Sequence, residues 1–113
     1  MDELAGKACG ACRADAPQVT SQQCDELLAQ LPQWQLIEVD GVKQLSRVYV
    51  CSNFLDAMAQ AEKVAKIAEQ ENHHPALLVE WGKLTVTWWS HKIKGLHEND
   101  FVMAARTERL FSL

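Results

Sequence analysis

The sequence predicts an α+β fold: a two-layer sandwich in which a four-stranded antiparallel sheet carries three helices on one face. The apolar patterns along the chain run in the order helix, strand, strand, helix, strand, strand, helix. Each pair of strands is joined by a short turn that contains glycine. The chain of 113 residues, 48% of them hydrophobic, is long enough for one domain with a buried core.

Composition and charge narrow the class of protein. The formal net charge is −4, which disfavours a surface that binds nucleic-acid phosphates or anionic lipid. No apolar run approaches the roughly 18 residues of a membrane span, and the first residues lack the basic and then hydrophobic segments of a secretion signal. We therefore expect a cytoplasmic protein whose cysteines are thiols.

The first residues are rich in Ala, Gly, Asp and Cys and show no sustained periodicity. We predict that residues 1–18 form a flexible N-terminal arm and that residues 19–113 form the domain. Within the arm, Cys9 and Cys12 make a lone C-x-x-C pair. This pair either has no part in catalysis or forms a zinc or redox site.

A short helix is predicted at the start of the domain. Thr20 and Gln23 form a capping-box pattern, and Pro32 ends the apolar stripe that follows. The stripe comprises Leu27, Leu28 and Leu31.

A hairpin is predicted next, with strands at Trp34–Val39 and Lys43–Cys51. The dipeptide Asp40-Gly41 between them suits the positive φ values of a tight turn.

The longest predicted helix begins after Asn53, which can cap it, and runs to about Glu71. Its apolar residues recur at helical spacing, while Lys, Glu and Gln cover the remaining surface. The apolar residues are Phe54, Ala57, Met58, Ala61, Val64, Ala65 and Ala68.

A second hairpin follows Pro75, with a turn at Gly82-Lys83. Alternation in its second strand puts one set of side chains on each face. The two sets are Leu84, Val86 and Trp88, and Thr85, Thr87, Trp89 and His91. We expect Trp81, Trp88 and Trp89 in a core or an interface, with contact to a ligand as the alternative.

The last helix is predicted to begin around His97. Leu96 and Phe101 occupy the two positions of a hydrophobic staple, and Asp100 lies at the third helical position, where it favours the helix dipole. His97 is then a structural cap.

Three of the four histidines are expected at one rim of the sheet, because His73 and His74 leave the long helix and His91 ends the last strand. Pro75 stiffens this rim by restricting His74 to extended conformations. The histidines can be surface polar residues, metal ligands or acid–base groups. A zinc site would recruit carboxylates from Glu69, Glu71 and Asp100, whereas neutral imidazoles are suited to moving protons near pH 7.

The stretch "EQENHHPALLVEWGKLTVTWWSHKIKGLHENDF" closely resembles the signature of the pterin-4a-carbinolamine dehydratases. The similarity extends from the helix near Leu27 to the last helix, and with the arm "CGACRADAP" it is closest to bacterial members associated with phenylalanine hydroxylase. The resemblance implies a hydro-lyase that dehydrates 4a-hydroxytetrahydropterin to quinonoid dihydropterin. The substrate is what remains when an aromatic amino acid hydroxylase has used tetrahydropterin. The family fold has helices on one side of a four-stranded antiparallel sheet.

The resemblance also implies the site. Carried over by position, the catalytic residues are His73, His74 and His91, and no metal ion or cofactor is needed because the pterin is the substrate. We expect His74 and His91 to be the main proton-transfer pair, with His73 stabilising the bound hydroxyl or serving the other face of the ring. The substrate-binding residues are Glu69, Pro75, Ser90, Lys92, Ile93 and Asp100. For Glu69 and Asp100 the alternatives are a solvated helix residue and a dipole partner.

The chain departs from the family pattern at two places. Trp88-Trp89-Ser90 stands where animal members have small polar residues, so an indole is expected to reshape the pocket mouth. Asn72 stands where some members carry an acid, and no role is assigned to it.

The resemblance also bears on partners. We expect a homodimer or homotetramer and a functional link to phenylalanine hydroxylase. The alternative function is that of a binding protein, because animal family members also serve as dimerisation partners of a transcription factor. A zinc protein that uses the histidines or the C-x-x-C pair is the third hypothesis.

Overall fold

The computed structural model describes residues 18–111. In this part of the chain the helices are α1 (Ser21–Leu28), α2 (Phe54–Glu71) and α3 (Glu98–Phe111), and the strands are β1 (Gln35–Val39), β2 (Val42–Val50), β3 (Ala76–Glu80) and β4 (Lys83–Trp88). The predicted order of elements and the α+β class are confirmed. Residues 1–17 of the predicted arm, including Cys9 and Cys12, lie outside the described residues.

The four strands form one antiparallel sheet in the order β1-β2-β4-β3. The two hairpins therefore meet along β2 and β4, where Leu45 pairs with Trp88 and Tyr49 pairs with Leu84. Because side chains alternate along a strand, this register puts these residues on the face that the helices cover. Val48 and Leu78 on the opposite face are exposed.

The turns are set by residues that accept positive φ. Asp40 and Gly41 have φ of 52° and 79°, so the first predicted turn is confirmed. In the second hairpin Gly82 has φ of 75°, and the turn lies one residue earlier than predicted, at Trp81-Gly82. Trp81 is consequently 72% exposed and belongs to no core.

The core lies between the sheet and the helices, and α2 meets it through small residues: Ala57, Ala61, Val64 and Ala68 are buried. Phe54 and Met58, which share the predicted stripe, are 47% and 48% exposed. The apolar stripe is thus wider than the face that touches the sheet. Leu55 beside it is 80% exposed, which leaves an apolar surface on α2.

The predicted caps of the first two helices are present. Thr20 and Gln23 form the capping box of α1, with each side chain accepting from the backbone N–H of the other residue. Asn53 caps α2 by accepting from the N–H of Asp56. These local hydrogen bonds satisfy backbone donors that the helices leave unpaired.

A buried polar cluster fastens α3 to the sheet. The Glu108 carboxylate accepts from the Trp34 indole N–H at 3.0 Å and from the Tyr49 hydroxyl at 2.6 Å. The Arg47 guanidinium contacts the same carboxylate and lies 4.5 Å from the centre of the Tyr49 ring. These partners come from segments far apart in the chain, and the cluster was not predicted.

Among the described helices, none combines the length and the apolar character that crossing a membrane requires.

Candidate active site

The end of α2 turns the two consecutive histidines in different directions. Asn72 is the C-cap of α2 in a left-handed conformation, with φ of 50° and ψ of 41°. The N–H of His73 then donates to the carbonyl of Ala68 at 3.1 Å, which closes the helix end. His73 enters the interior, where it is 5% exposed, whereas His74 stays at the surface.

His73 is held by a buried carboxylate at the start of α3. Its Nε2 lies 2.6 Å from Oδ1 of Asp100. Oδ2 of Asp100 accepts from the Ser90 hydroxyl at 2.8 Å and from the backbone N–H of His97 at 2.9 Å. Asp100 is 0% exposed, so its carboxylate serves these protein groups and orients the His73 ring.

The contacts of His97 agree with its predicted structural role. His97 Nδ1 accepts from the N–H of Asn99 at 3.1 Å, while the carboxylate of Asp100 accepts from the His97 N–H at 2.9 Å. His97 therefore acts as the N-cap of α3, and the acidic residue three positions later accepts from its backbone. The predicted third helical position of Asp100 is confirmed, because α3 begins at Glu98.

His74 is paired with a second carboxylate, that of Glu69. Its Nε2 lies 2.6 Å from Oε1 of Glu69, one turn back on α2, and the two side chains are 52% and 77% exposed. A carboxylate only accepts hydrogen bonds, so Nε2 of His74 donates. In the neutral ring the lone pair is then on Nδ1.

His91 was predicted to end the last strand, but β4 ends at Trp88 and His91 lies in the turn that follows. Its Nε2 lies 3.1 Å from the backbone carbonyl of His74. Because a carbonyl oxygen only accepts, Nε2 of His91 carries the hydrogen and Nδ1 holds the lone pair in the neutral ring. This hydrogen bond joins two segments seventeen residues apart in the chain.

Two consecutive indoles stack on two of the imidazoles. Trp88 is parallel to His73 within 1°, with ring centres 5.7 Å apart. Trp89 lies against His91 with ring centres 4.2 Å apart and an angle of 13°. Trp88 is fully buried and donates its indole N–H to Thr107, whereas Trp89 is half-buried. The alternation of β4 was the signal that two neighbouring indoles would face opposite sides.

The other predicted binding residues are close to these histidines in the chain. Pro75 is half-buried directly before β3. Lys92 and Ile93 lie in the turn that follows His91; the first is exposed and the second is half-buried. The carbonyl of Ile93 accepts from the Gln18 amide at 3.0 Å, which ties this turn to the start of the described chain.

The potential metal ligands of residues 18–111 do not converge on one point. These residues contain no group of three or more His, Cys, Asp or Glu side chains arranged to hold a metal ion. Within the same part of the chain, Cys24 and Cys51 are free thiols.

Comparisons with known proteins agree with this architecture. A family model described as "Pterin 4 alpha carbinolamine dehydratase" matches residues 17–110. A protein of Marinobacter nauticus named "Putative pterin-4-alpha-carbinolamine dehydratase" is 57% identical over 111 residues, which are 98% of this chain and 100% of that protein. A crystal structure of a "transcriptional coactivator/pterin dehydratase" from Brucella melitensis has a TM-score of 0.74 at 28% identity, covering 83% of this chain and 98% of that one.

Proposed function

Since the chain belongs to the pterin 4 alpha carbinolamine dehydratase family of hydro-lyases, we propose that it dehydrates 4a-hydroxytetrahydropterin to quinonoid dihydropterin by histidine acid–base catalysis. The observation that carries the proposal is the hydrogen bond from His91 to the backbone of His74, which joins two distant segments that each carry an exposed imidazole. In each of these rings Nε2 makes the hydrogen bond, and the lone pair of the neutral ring is on Nδ1.

The reaction needs two proton transfers. One proton goes to the departing hydroxyl on the 4a carbon, which leaves as water, and one is removed from the adjacent ring nitrogen. One positioned imidazole for each transfer contributes on the order of 10²–10⁴ in rate. The two imidazoles together lose one proton and gain one, so their total number of protons is unchanged. Proton exchange with water then returns each imidazole to its starting form.

The hydrogen-bond partners support one role for each ring. When His74 carries a proton on Nδ1, its contact with Glu69 becomes a charge-assisted hydrogen bond, as suits the acid that delivers the proton. The partner of His91 is a neutral carbonyl, which fixes the tautomer that accepts a proton at Nδ1. We therefore assign His74 as the acid and His91 as the base.

His73 is given a different role because of its burial. With 5% of its surface exposed and a buried carboxylate behind it, the ring is held rigidly and offers only an edge to the site. Because Nε2 of His73 donates to Asp100, in the proposal this edge accepts a hydrogen bond from the bound hydroxyl. Asp100 acts through His73, while Pro75, Ser90, Lys92 and Ile93 form the surrounding wall.

The proposal includes the source of the substrate and the place of the reaction. The substrate is the product that an aromatic amino acid hydroxylase leaves after it has used tetrahydropterin, and the resemblance to members associated with phenylalanine hydroxylase favours that supplier. The reaction takes place in the cytoplasm and uses the pterin as substrate, without a separate cofactor.

The experiment is a coupled assay in which phenylalanine hydroxylase generates the substrate and quinonoid dihydropterin is measured with and without the protein. We expect His74→Ala to lower kcat by about 10²–10⁴. His97→Ser is the matched control, because serine is also a good N-cap, and it should keep the activity. An unchanged rate in His74→Ala would remove the assignment.

We also propose that the chain forms a homodimer or homotetramer through the apolar surface of α2. The support is the groove lined by Leu55, Met58 and Leu77, in which Leu55 and Met58 are 80% and 48% exposed. A second copy would cover these side chains and remove apolar area from water. Sedimentation velocity should show an assembly that Leu55→Asp dissociates and Lys66→Asp, on an exposed part of the same helix, leaves intact; a wild-type monomer would contradict this.

A second function is favoured by the same surface. The Brucella melitensis structure bears a coactivator name, and an exposed apolar helix face can take up a helix of a partner protein. Binding of this kind would survive in His74→Ala and be lost in Leu55→Asp. Pull-down of a transcription factor with the two variants would separate it from catalysis.

A further inference from the structure

His91 is one of the two exposed imidazoles of the site. It follows β4 in a turn, and its side chain is exposed. The hydrogen bond from Nε2 to the His74 carbonyl fixes one end of the ring. A single hydrogen bond tolerates a range of angles, so the plane of the ring can still tilt, and such rotation would move Nδ1 away from any bound molecule.

Trp89 opposes this rotation. Its indole covers one face of the imidazole with ring centres 4.2 Å apart and an angle of only 13°. Trp89 is itself packed against the hydrophobic core and is half-buried. Its own position is therefore fixed by packing. Two constraints, one in the plane of the ring and one on its face, together define where Nδ1 points.

We propose that Trp89 is a positioning residue of the dehydratase site: its indole fixes the plane of the His91 imidazole so that Nδ1 faces the substrate. The inference rests on the proposed function and extends it to a residue that does not touch the reacting atoms. The indole face that His91 covers cannot also stack on a pterin. In the proposal Trp89 therefore acts through His91.

Kinetics distinguish this role from substrate stacking. Misplacement of a catalytic group by about 1 Å can cost on the order of 10²-fold in rate, and loss of a flat neighbour allows a smaller average displacement. We expect Trp89→Leu to lower kcat about tenfold with KM unchanged. Trp89→Phe keeps a flat ring and should recover most of the loss.

A double variant tests whether Trp89 works through His91. In a His91→Ala background the indole has no imidazole to hold, so adding Trp89→Leu should cause no further loss. Trp81→Leu is the control, because this tryptophan is 72% exposed in the turn before β4 and lies outside the site. It should keep the wild-type kcat.

A spectroscopic readout tests the stacking without reference to activity. Stacking on an indole shifts the ring protons of His91 upfield in the NMR spectrum, and comparison with His91→Ala assigns them. The shift should be present in the wild type and in Trp81→Leu, smaller in Trp89→Phe and absent in Trp89→Leu. Circular dichroism shows whether each variant is folded.

Three kinetic results would overturn the inference: an unchanged kcat in Trp89→Leu, a rise in KM at constant kcat, or an equal loss when the substitution is added to His91→Ala. An unshifted His91 ring in the wild type would do the same. A wild-type protein without dehydratase activity would overturn the proposed function as well, whereas an active one with a normal Trp89→Leu variant would overturn the positioning role alone.

Discussion

Nε2 of His73 and Oδ1 of Asp100 lie 2.6 Å apart, with 5% and 0% of the two side chains exposed. The contact joins the end of α2 to the first turn of α3. Because Asp100 also accepts from Ser90 and from the backbone of His97, one carboxylate links the segments that carry all three imidazoles.

Asp100→Asn should reduce both activity and stability. The amide has one oxygen to accept hydrogen bonds, and its NH₂ group would face a donor in the present cluster. We expect the free energy of unfolding to fall by about 1–3 kcal/mol, with kcat lowered on the order of 10²-fold. Urea unfolding and the coupled assay measure the two effects; Asp25→Asn, on exposed α1, is the control. Wild-type stability in Asp100→Asn would mean that the three hydrogen bonds contribute little.

Glu69→Gln should affect activity alone. The Glu69 carboxylate is 77% exposed, and exposed pairs add little to stability, but its contact with His74 is the one that charge strengthens in the proposed mechanism. We expect kcat to fall about tenfold and the urea midpoint to stay at the wild-type value. Glu62→Gln, also exposed on α2, should change neither quantity. Equal kcat for the two variants would show that Glu69 has no part in proton delivery.

Asn72 should tolerate glycine better than alanine. Its φ of 50° lies in the left-handed region, which glycine adopts without strain and alanine does not. We expect Asn72→Ala to lower the free energy of unfolding by about 1 kcal/mol, while Asn72→Gly stays near the wild type and keeps its activity. Chemical unfolding of the two variants provides the measurement. A more stable alanine variant would contradict a left-handed conformation at the end of α2.

Stability should fall at alkaline pH because of Tyr49. Burial, followed by the hydrogen bond to Glu108, raises the pKa of the Tyr49 hydroxyl above its usual range. In the unfolded chain this hydroxyl ionises near pH 10, so above that pH the unfolded state binds fewer protons than the folded state. The stabilisation is complete below about pH 10 and is lost as the pH rises further, by about 1.4 kcal/mol per pH unit.

The measurement is urea unfolding between pH 8 and pH 11 for the wild type and Tyr49→Phe. The variant loses the hydrogen bond to Glu108, so it should be less stable at pH 8, but its decline with pH should be shallower. Other groups that titrate in this range, including the thiol of Cys24, whose pKa burial also raises, are common to both proteins and cancel in the difference. Parallel curves would count against a buried, neutral Tyr49.

The parts of the fold that were predicted correctly depend on local chemistry. The capping box of Thr20 and the turn at Asp40-Gly41 involve residues a few positions apart, and both are present as predicted. The stripe of α2 was predicted too wide, since Phe54 and Met58 remain exposed. Periodicity shows which residues are apolar on one side of a helix, whereas the fraction that meets the sheet depends on the packing of other elements.

The candidate site was also predicted in part from the sequence. The positions of His74 after the long helix and of His91 near the end of the last strand were sufficient to expect them at one rim, and the hydrogen bond from His91 to the backbone of His74 fits that expectation. The burial of Asp100 beneath His73 depends on how α3 docks, which no local pattern contains. The catalytic and binding roles of these residues stay predictions until the variants are measured.

The pairing of β4 with β2 has a consequence for folding. Trp88 lies opposite Leu45 in the neighbouring strand and stacks on the buried ring of His73. A slip of a single residue in this pairing would exchange inside for outside and take Trp88 away from His73. Trp89 and His91 are only two positions apart in the chain, so their contact does not depend on this register. Molecules with shifted strands would therefore lose the buried aromatic stack and could still form the exposed one.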